Sequence, residues 1–321
     1  MLLDKPFSLP AKAGLKSSYH RFDQPTIDAI TTAYALQRPL LVKGEPGLGK
    51  SQIAHALATK MDWNLIVQLI HGRTEPTDLL YKTDQVRRLA QAQILRAANV
   101  ETDTLDRNDP LSALDEANFT QPGPVWWALN ATRAKEFIQQ HLGQPHSVYA
   151  QGQDGEQLDP DKPTVLLLDE IDKADSQLPN ALLGVLNNQS FSLSIQDKTI
   201  TANNKTPPFV VVTSNDDRPL PAAFLRRCVV LTLTLSNDEK GVNELIRIAE
   251  AHREGLPSLE PSIVTQAAEL TMAQRKNTGP DQYQPGTSEF LDLLYTLQRR
   301  QVPQDEQQQV LETIKSYILQ K

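Results

Sequence analysis

The stretch Leu40-Leu41-Val42-Lys43-Gly44-Glu45-Pro46-Gly47-Leu48-Gly49-Lys50-Ser51-Gln52-Ile53-Ala54-His55-Ala56-Leu57-Ala58 decides how this chain is read. An apolar run passes into a glycine-rich loop and the loop into a helix with an apolar face, so the order is strand, loop, helix. A loop in that setting cradles phosphate. Its glycines let backbone N–H groups turn inward on an anion, and the N-terminus of the helix adds positive dipole. Lys50 reaches the β- and γ-phosphates and Ser51 can hold Mg²⁺. Gly44, Glu45, Pro46, Gly47, Leu48, Gly49, Lys50, Ser51 and Gln52 are therefore the candidate nucleotide-binding residues.

A second element supports the first. Val165-Leu166-Leu167-Leu168-Asp169-Glu170 is a continuous apolar run ending in two acids, the pattern of a strand buried on both faces of a parallel sheet. Ligands collect at the carboxyl ends of such strands, so both acids arrive beside the phosphates. Asp169 is placed to join Ser51 in holding Mg²⁺. Glu170 is placed to polarise a water for attack on the γ-phosphate, which favours hydrolysis over binding alone. A third run, Phe209-Val210-Val211-Val212, carries Asn215 to the same edge, where an amide can hydrogen-bond both the attacking water and a phosphate oxygen. Then Leu220-Pro221-Ala222-Ala223-Phe224-Leu225-Arg226-Arg227-Cys228 reads as a short helix ending in paired arginines.

This order of phosphate loop, Asp-Glu strand, Asn-tipped strand, Arg-ended helix and helical tail resembles the AAA+ ATPases over roughly residues 35–300. The segments 168–174 and 207–215 are similar to the MoxR-like branch. The resemblance implies that Lys50 and Ser51 belong to Walker A, Asp169 and Glu170 to Walker B, and Asn215 to sensor 1. It makes Arg227 the arginine finger that reaches a neighbouring subunit's γ-phosphate, with Arg226 as its helper. Both arginines also suit a plain role, capping their helix through its dipole. The implied fold is α/β, a parallel-sheet nucleotide-binding domain followed by a small all-α lid.

One place departs from the family pattern. A second sensing arginine is expected early in a lid helix, but Gly286-Thr287-Ser288-Glu289-Phe290-Leu291 puts Glu289 there. Arg299 and Arg300, further along, are the candidates to substitute for it or to form the solvated face of that helix, and the solvated face is the expected reading. Two segments resemble insertions of the branch. One is a hairpin, with runs 191–195 and 199–201 around the polar turn Gln196-Asp197-Lys198. The other is Gln121-Pro122-Gly123-Pro124-Val125-Trp126-Trp127, whose tryptophans suit either core packing or a partner- or pore-facing surface.

The polar runs 99–118 and 139–162 read as surface loops, the first following a basic helical stretch around Arg87, Arg88 and Arg96. His141 and His146 in the second fit no common zinc spacing. The expected division is a leading segment and helix over 1–38, a nucleotide-binding domain over 39–235 and a helical lid over 236–321. In the lid, Val242, Leu245, Ile246 and Ala249 share one helical face, as do Phe290, Leu291, Leu294 and Leu297. Up to about Arg21 no period is visible, and 25–37 reads as a helix.

A single cysteine excludes an internal disulfide, and no apolar stretch approaches the roughly 20 residues of a membrane span, so a cytoplasmic location is expected. A formal charge of −7 disfavours a broad nucleic-acid footprint. Asn204-Lys205-Thr206-Pro207 lacks the acid that would read guanine, so ATP is the expected nucleotide, GTP the alternative. The resemblance implies an ATP- and Mg²⁺-dependent homo-oligomeric ring, expected to be a hexamer, that remodels a protein partner, with von Willebrand A domain proteins as the suggested class. The alternatives are a scaffold or sensor ring in a defence or signalling system and a nucleic-acid motor or loader. The near-neutral tip Asp197-Lys198 weakens the motor reading.

Overall fold

The computed structural model describes residues 5–97, 112–142, 158–203, 205, 207–278 and 283–320. The chain opens with two short antiparallel strands, β1 (Phe7–Leu9) and β2 (Ser18–His20). Three residues apiece are too few to display a period, which is why this segment looked patternless in sequence. Helix α1 (Gln24–Leu36) is started by Asp23, whose side chain accepts the Thr26 N–H, with Pro25 in its first turn. It stops at Gln37, held in the left-handed region at φ 51°.

The next three elements are β3 (Leu40–Gly44), α2 (Lys50–Met61) and β4 (Asn64–Leu69). An excursion follows: α3 (Pro76–Leu80), β5 (Tyr81–Thr83), α4 (Gln85–Ala97), β6 (Thr120–Pro122), α5 (Pro124–Leu129) and α6 (Ala131–His141). The chain returns through β7 (Thr164–Asp169) and α7 (Gln177–Asn188). A hairpin of β8 (Ser190–Leu193) and β9 (Lys198–Thr201) precedes β10 (Phe209–Ser214), α8 (Ala222–Leu225) and β11 (Val229–Leu233). Four helices complete the chain: α9 (Glu239–Ala251), α10 (Pro261–Asn277), α11 (Thr287–Arg299) and α12 (Gln307–Leu319).

The main sheet has five parallel strands in the order β11-β3-β10-β7-β4. Alternate residues of each central run face opposite sides, and both sides are covered. Leu40, Val42, Val165, Leu167 and Val211 join α1 and α2 in one core, whereas Leu41, Leu166, Leu168 and Val212 join α5 and α7 in another. The runs are continuous in sequence because neither face meets water. The carboxyl ends of β3, β7 and β10 lie side by side, with Val212 opposite Leu168 and Thr213 opposite Val42.

A third core is built from the last four helices around Leu245, Ala267, Phe290, Leu294 and Leu311. Helix α9 begins after Asp238, whose carboxylate accepts the Lys240 N–H. The described residues contain no helix long and apolar enough to cross a membrane.

Trp126 and Trp127 are 1% and 0% exposed, Trp126 packing on Phe137 and Phe191, so of their two readings the structure takes core packing. The hairpin turns earlier than expected: Ser194, Ile195 and Gln196 form a 3-10 turn and Lys198 already belongs to β9. Tyr81 from β5 holds that turn through the Ser194 hydroxyl at 2.8 Å, and Asp197 takes the left-handed conformation that reverses the chain. His141 meets Gln196 at 2.8 Å on the same side. His146 and most of the two polar runs lie outside the described residues.

Candidate active site

The phosphate-type loop forms because two of its glycines do what no other residue can. A β-carbon on Gly44 would come within 2.5 Å of the Leu233 carbonyl oxygen on the neighbouring strand. Gly49 precedes α2 at φ 80°, a left-handed conformation costly for side-chain-bearing residues. Helix α2 has no side-chain cap, so its first-turn N–H groups face the loop without a side-chain partner. That arrangement suits an anion.

Lys50 is 7% exposed and its Nζ donates to the carbonyls of Gly44 and Glu45, both at 2.8 Å. Burial lowers its pKa from the ordinary lysine value, while the carboxylates of Asp169, Asp172 and Glu170 pull the other way. The ammonium group is thus fixed across the mouth of the loop with acids behind it.

Ser51 Oγ donates to Asp169 Oδ1 at 2.7 Å, and Thr213 Oγ1 donates to the same oxygen at 2.5 Å. Thr213 also accepts the Glu170 N–H at 2.9 Å. Glu170 sits at φ 60°, a conformation that costs a non-glycine residue about 1–2 kcal/mol. The Thr213 contact holds it there. The turn lifts the Glu170 carboxylate off the strand line toward Asn215, whose Nδ2 donates to Glu170 Oε1 at 3.3 Å. Beneath them Asp172, 1% exposed, accepts the N–H groups of Asn215 at 3.3 Å and Asp217 at 3.0 Å and so fixes the loop after β10. Lys173 pairs with Asp217 and Lys43 with Asp216 on its outer side.

These groups line one cleft of about 1170 Å³, walled by the loop, the strand ends and helix α11. Gly47, Lys50, Ser51, Asp169, Glu170 and Asn215 all face it. The hydroxyl of Ser51 and the carboxylate of Asp169 are hard oxygen donors already in contact. This fits magnesium, which takes one or two carboxylate or hydroxyl oxygens and leaves its other positions to water and phosphate. A cavity of this volume is ample for a nucleotide.

Two loop residues face elsewhere: Glu45 pairs with Arg275 of α10 and Leu48 packs on the third core. Gln52 lines the cleft and donates to Ser18 Oγ of β2 at 2.6 Å. Arg226 and Arg227 stand outside the cleft, exposed at the end of α8. Arg227 Nη1 reaches only the Ala223 carbonyl of its own helix, at 3.3 Å, and the Arg226 side chain makes no hydrogen bond or ion pair among the described residues. Behind them the thiol of Cys228 is pushed up to about 12 by burial, against the opposing charge of Arg38.

In the last helices, Glu289 is 8% exposed and its Oε2 accepts the Gly286 N–H at 2.9 Å, closing the first turn of α11. Arg299 is exposed, as expected of the solvated face, and it also lies over the Tyr295 ring, 5.8 Å from the centroid, and lines the cleft, because Tyr295 is one helical turn behind on the same face. Arg300 remains exposed. Thr213, Asp172 and Arg275 were not singled out from sequence. Thr213 carried the visible signal of sitting two places before Asn215, on the same strand face.

The AAA domain of the dynein-related subfamily matches residues 39–245. Midasin of Giardia intestinalis is 39% identical over 74 residues, which span 22% of this chain and 2% of midasin's length. Among solved structures, the RuvB Holliday junction branch migration motor of Thermotoga maritima aligns with 92% of this chain and 69% of that one at 16% identity and a TM-score of 0.43. A candidate ATPase from Cytophaga hutchinsonii aligns with 92% of this chain and 85% of that one at 17% identity and a TM-score of 0.36. The domain match takes in more than half of the chain, including the loop, both strand tips and the arginine-ended helix, and the chain belongs to the AAA ATPases, within the dynein-related AAA domain family.

Proposed function

We propose that the chain is a Mg²⁺-dependent ATP hydrolase of the MoxR-like kind, acting as a homo-oligomeric ring that remodels or matures a protein partner. The observation that carries the hydrolytic part is the Ser51–Asp169–Thr213–Glu170–Asn215 chain of contacts in one cleft. Lys50, Gly47 and the first turn of α2 bind the phosphates. Ser51 and Asp169 hold Mg²⁺, which when bound neutralises charge on the phosphate oxygens. Glu170 takes the proton of the attacking water, and Asn215 orients Glu170 and the water together.

Arg227, helped by Arg226, completes the site of the next subunit. Support for this is that both side chains are exposed and, among the described residues, hydrogen-bond to nothing beyond a carbonyl of their own helix. The Ala223 contact also fits the plainer capping role, so assembly is the property to measure. Residues 236–321 act as a lid whose angle follows the nucleotide. The MoxR-like assignment and a partner of the von Willebrand A class rest on the segments 168–174 and 207–215 and on the hairpin before β10.

Particle mass with ATP and Mg²⁺, for wild type and Glu170→Gln over a range of concentrations, tests this reading. Nucleotide-dependent assembly, held longest by Glu170→Gln and ending at six subunits, is the expected result. A monomer at every concentration, hydrolysing ATP at an unchanged rate when Arg227 is replaced by Ala, would overturn the ring.

A further inference from the structure

The phosphate loop is gripped from outside at positions 45, 47 and 48. Glu45 is paired to Arg275, the Gly47 carbonyl accepts both the N–H (3.1 Å) and the Oγ (3.2 Å) of Ser288, and Leu48 packs into the third core. All these contacts come from the last four helices or the turns between them.

Arg275 is the center of this grip. Its side chain is 3% exposed, and its donors go to three separate segments: Asn237 Oδ1 at 2.7 Å, between β11 and α9; the Pro285 carbonyl at 3.3 Å, before α11; and Glu45 Oε2 at 2.5 Å. Arginine suits this because its planar fork serves several acceptors at once. The Glu45 side chain is 49% exposed, so the pair is buried at one end and open at the other.

Two physical consequences follow. An acid in a loop that receives a polyphosphate repels its ligand, and the Arg275 guanidinium cancels that charge. A trans peptide also points its C=O and N–H in opposite directions. With Ser288 holding the Gly47 carbonyl toward the helical region, the Leu48 N–H is aimed away from it. Glu289, standing where a sensing arginine was expected, fixes the turn that presents Ser288 by accepting the Gly286 N–H.

We propose that Arg275 is a positioning residue that couples the helical region to nucleotide through the phosphate loop, neutralising Glu45 and clamping the loop in its binding conformation. The coupling runs through the protein's own backbone rather than through an arginine touching the nucleotide. By linkage it is reciprocal: if the grip favours ATP, then ATP tightens the grip. This inference rests on the ATP-binding reading above.

The test is a double-mutant cycle on ATP affinity, measured by calorimetry for wild type, Arg275→Met, Glu45→Gln and the double variant, with folding checked by thermal melts. Arg275→Met leaves the Glu45 charge unmatched, and a loss of affinity of about tenfold or more is expected. Glu45→Gln keeps a neutral acceptor and costs less. The double variant is expected to recover at least fivefold over Arg275→Met, a coupling within the range measured for residues in contact.

A purely structural role for Arg275 would lower stability and affinity with no recovery in the double variant, and additive losses would overturn the proposal. So would Arg275→Met binding ATP as wild type does. A second readout is hydrogen exchange of residues 283–288. ATP is expected to slow it in wild type and not in Arg275→Met, and equal protection in both would also count against the coupling. If wild type itself binds no ATP, the functional reading fails, and that outcome is distinct from all of these.

Discussion

The strand ends and the arginine-bearing helix differ in how much of their chemistry the chain supplies for itself. At the ends of β7 and β10 every acid has a partner: Asp169 holds Ser51 and Thr213, Glu170 holds Asn215, and Asp172 holds two backbone N–H groups. At the end of α8, Arg226 and Arg227 are exposed and make, among the described residues, one side-chain hydrogen bond between them, to their own helix. Buried polar groups must be satisfied where they stand. Exposed arginines need nothing, and so they remain available. The strand-end chemistry is built within the chain, while the two arginines are left facing solvent.

The sharpest way to break that contrast is Arg227→Ala. If the side chain completes a neighbouring site, turnover falls by about three to five orders of magnitude while calorimetric ATP affinity is kept. Mixing the variant with Lys50→Ala subunits then restores part of the activity. A cap alone would move stability by under about 1 kcal/mol and leave turnover intact. Glu170→Gln tests the other half: turnover is expected to drop about 10²–10⁴-fold, the usual worth of a positioned base, with ATP still bound in filter-binding assays.

Thr213→Val sharpens the picture of the strand ends, since it removes the hydroxyl shared by Asp169 and Glu170 but keeps the shape. The Mg²⁺ concentration for half-maximal turnover is expected to rise about 10–100-fold, the range typical of groups that orient a metal ligand. The smallest effect concerns pH. His252 is 3% exposed, bonds Tyr295 at 2.9 Å, and burial lowers it from 6.5 to about 4; His20 is lowered to about 4 by burial as well. A histidine depressed in the folded state stabilises above its unfolded value and loses that contribution as pH falls from 6.5 toward 4. His252 is expected to cost about 2 kcal/mol between pH 7 and pH 5. Melting temperatures of wild type and His252→Asn at the two pH values would show it, as a flatter profile for the variant.

Much of the α/β layer was legible because its signals are local. A continuous apolar run such as 165–168 can be buried only on both faces, and the loop 44–51 carries its chemistry in its own residues. The arginines were harder. Arg275, Arg299 and Arg227 are one residue type at the ends of three helices, yet one is buried in a triple contact, one stacks on a tyrosine beside the cleft, and one faces solvent. Periodicity tells which face of a helix is apolar, but it does not say which distant loop meets a charged end. The partner of Arg275, Glu45, is 230 residues away in sequence. The short strands β1 and β2 were missed for a different reason, since pairing, not pattern, defines them.

The half-buried Cys228 has a practical bearing. It is the single cysteine of the chain, and its thiol is held up to about 12. Alkylating reagents attack the thiolate, so at neutral pH this sulfur stays nearly silent toward maleimide dyes. A second cysteine introduced on the exposed face of α12, for instance at Tyr317, 78% exposed, would take the label in an otherwise native background. A fluorophore there would report whether the last helices move when nucleotide binds.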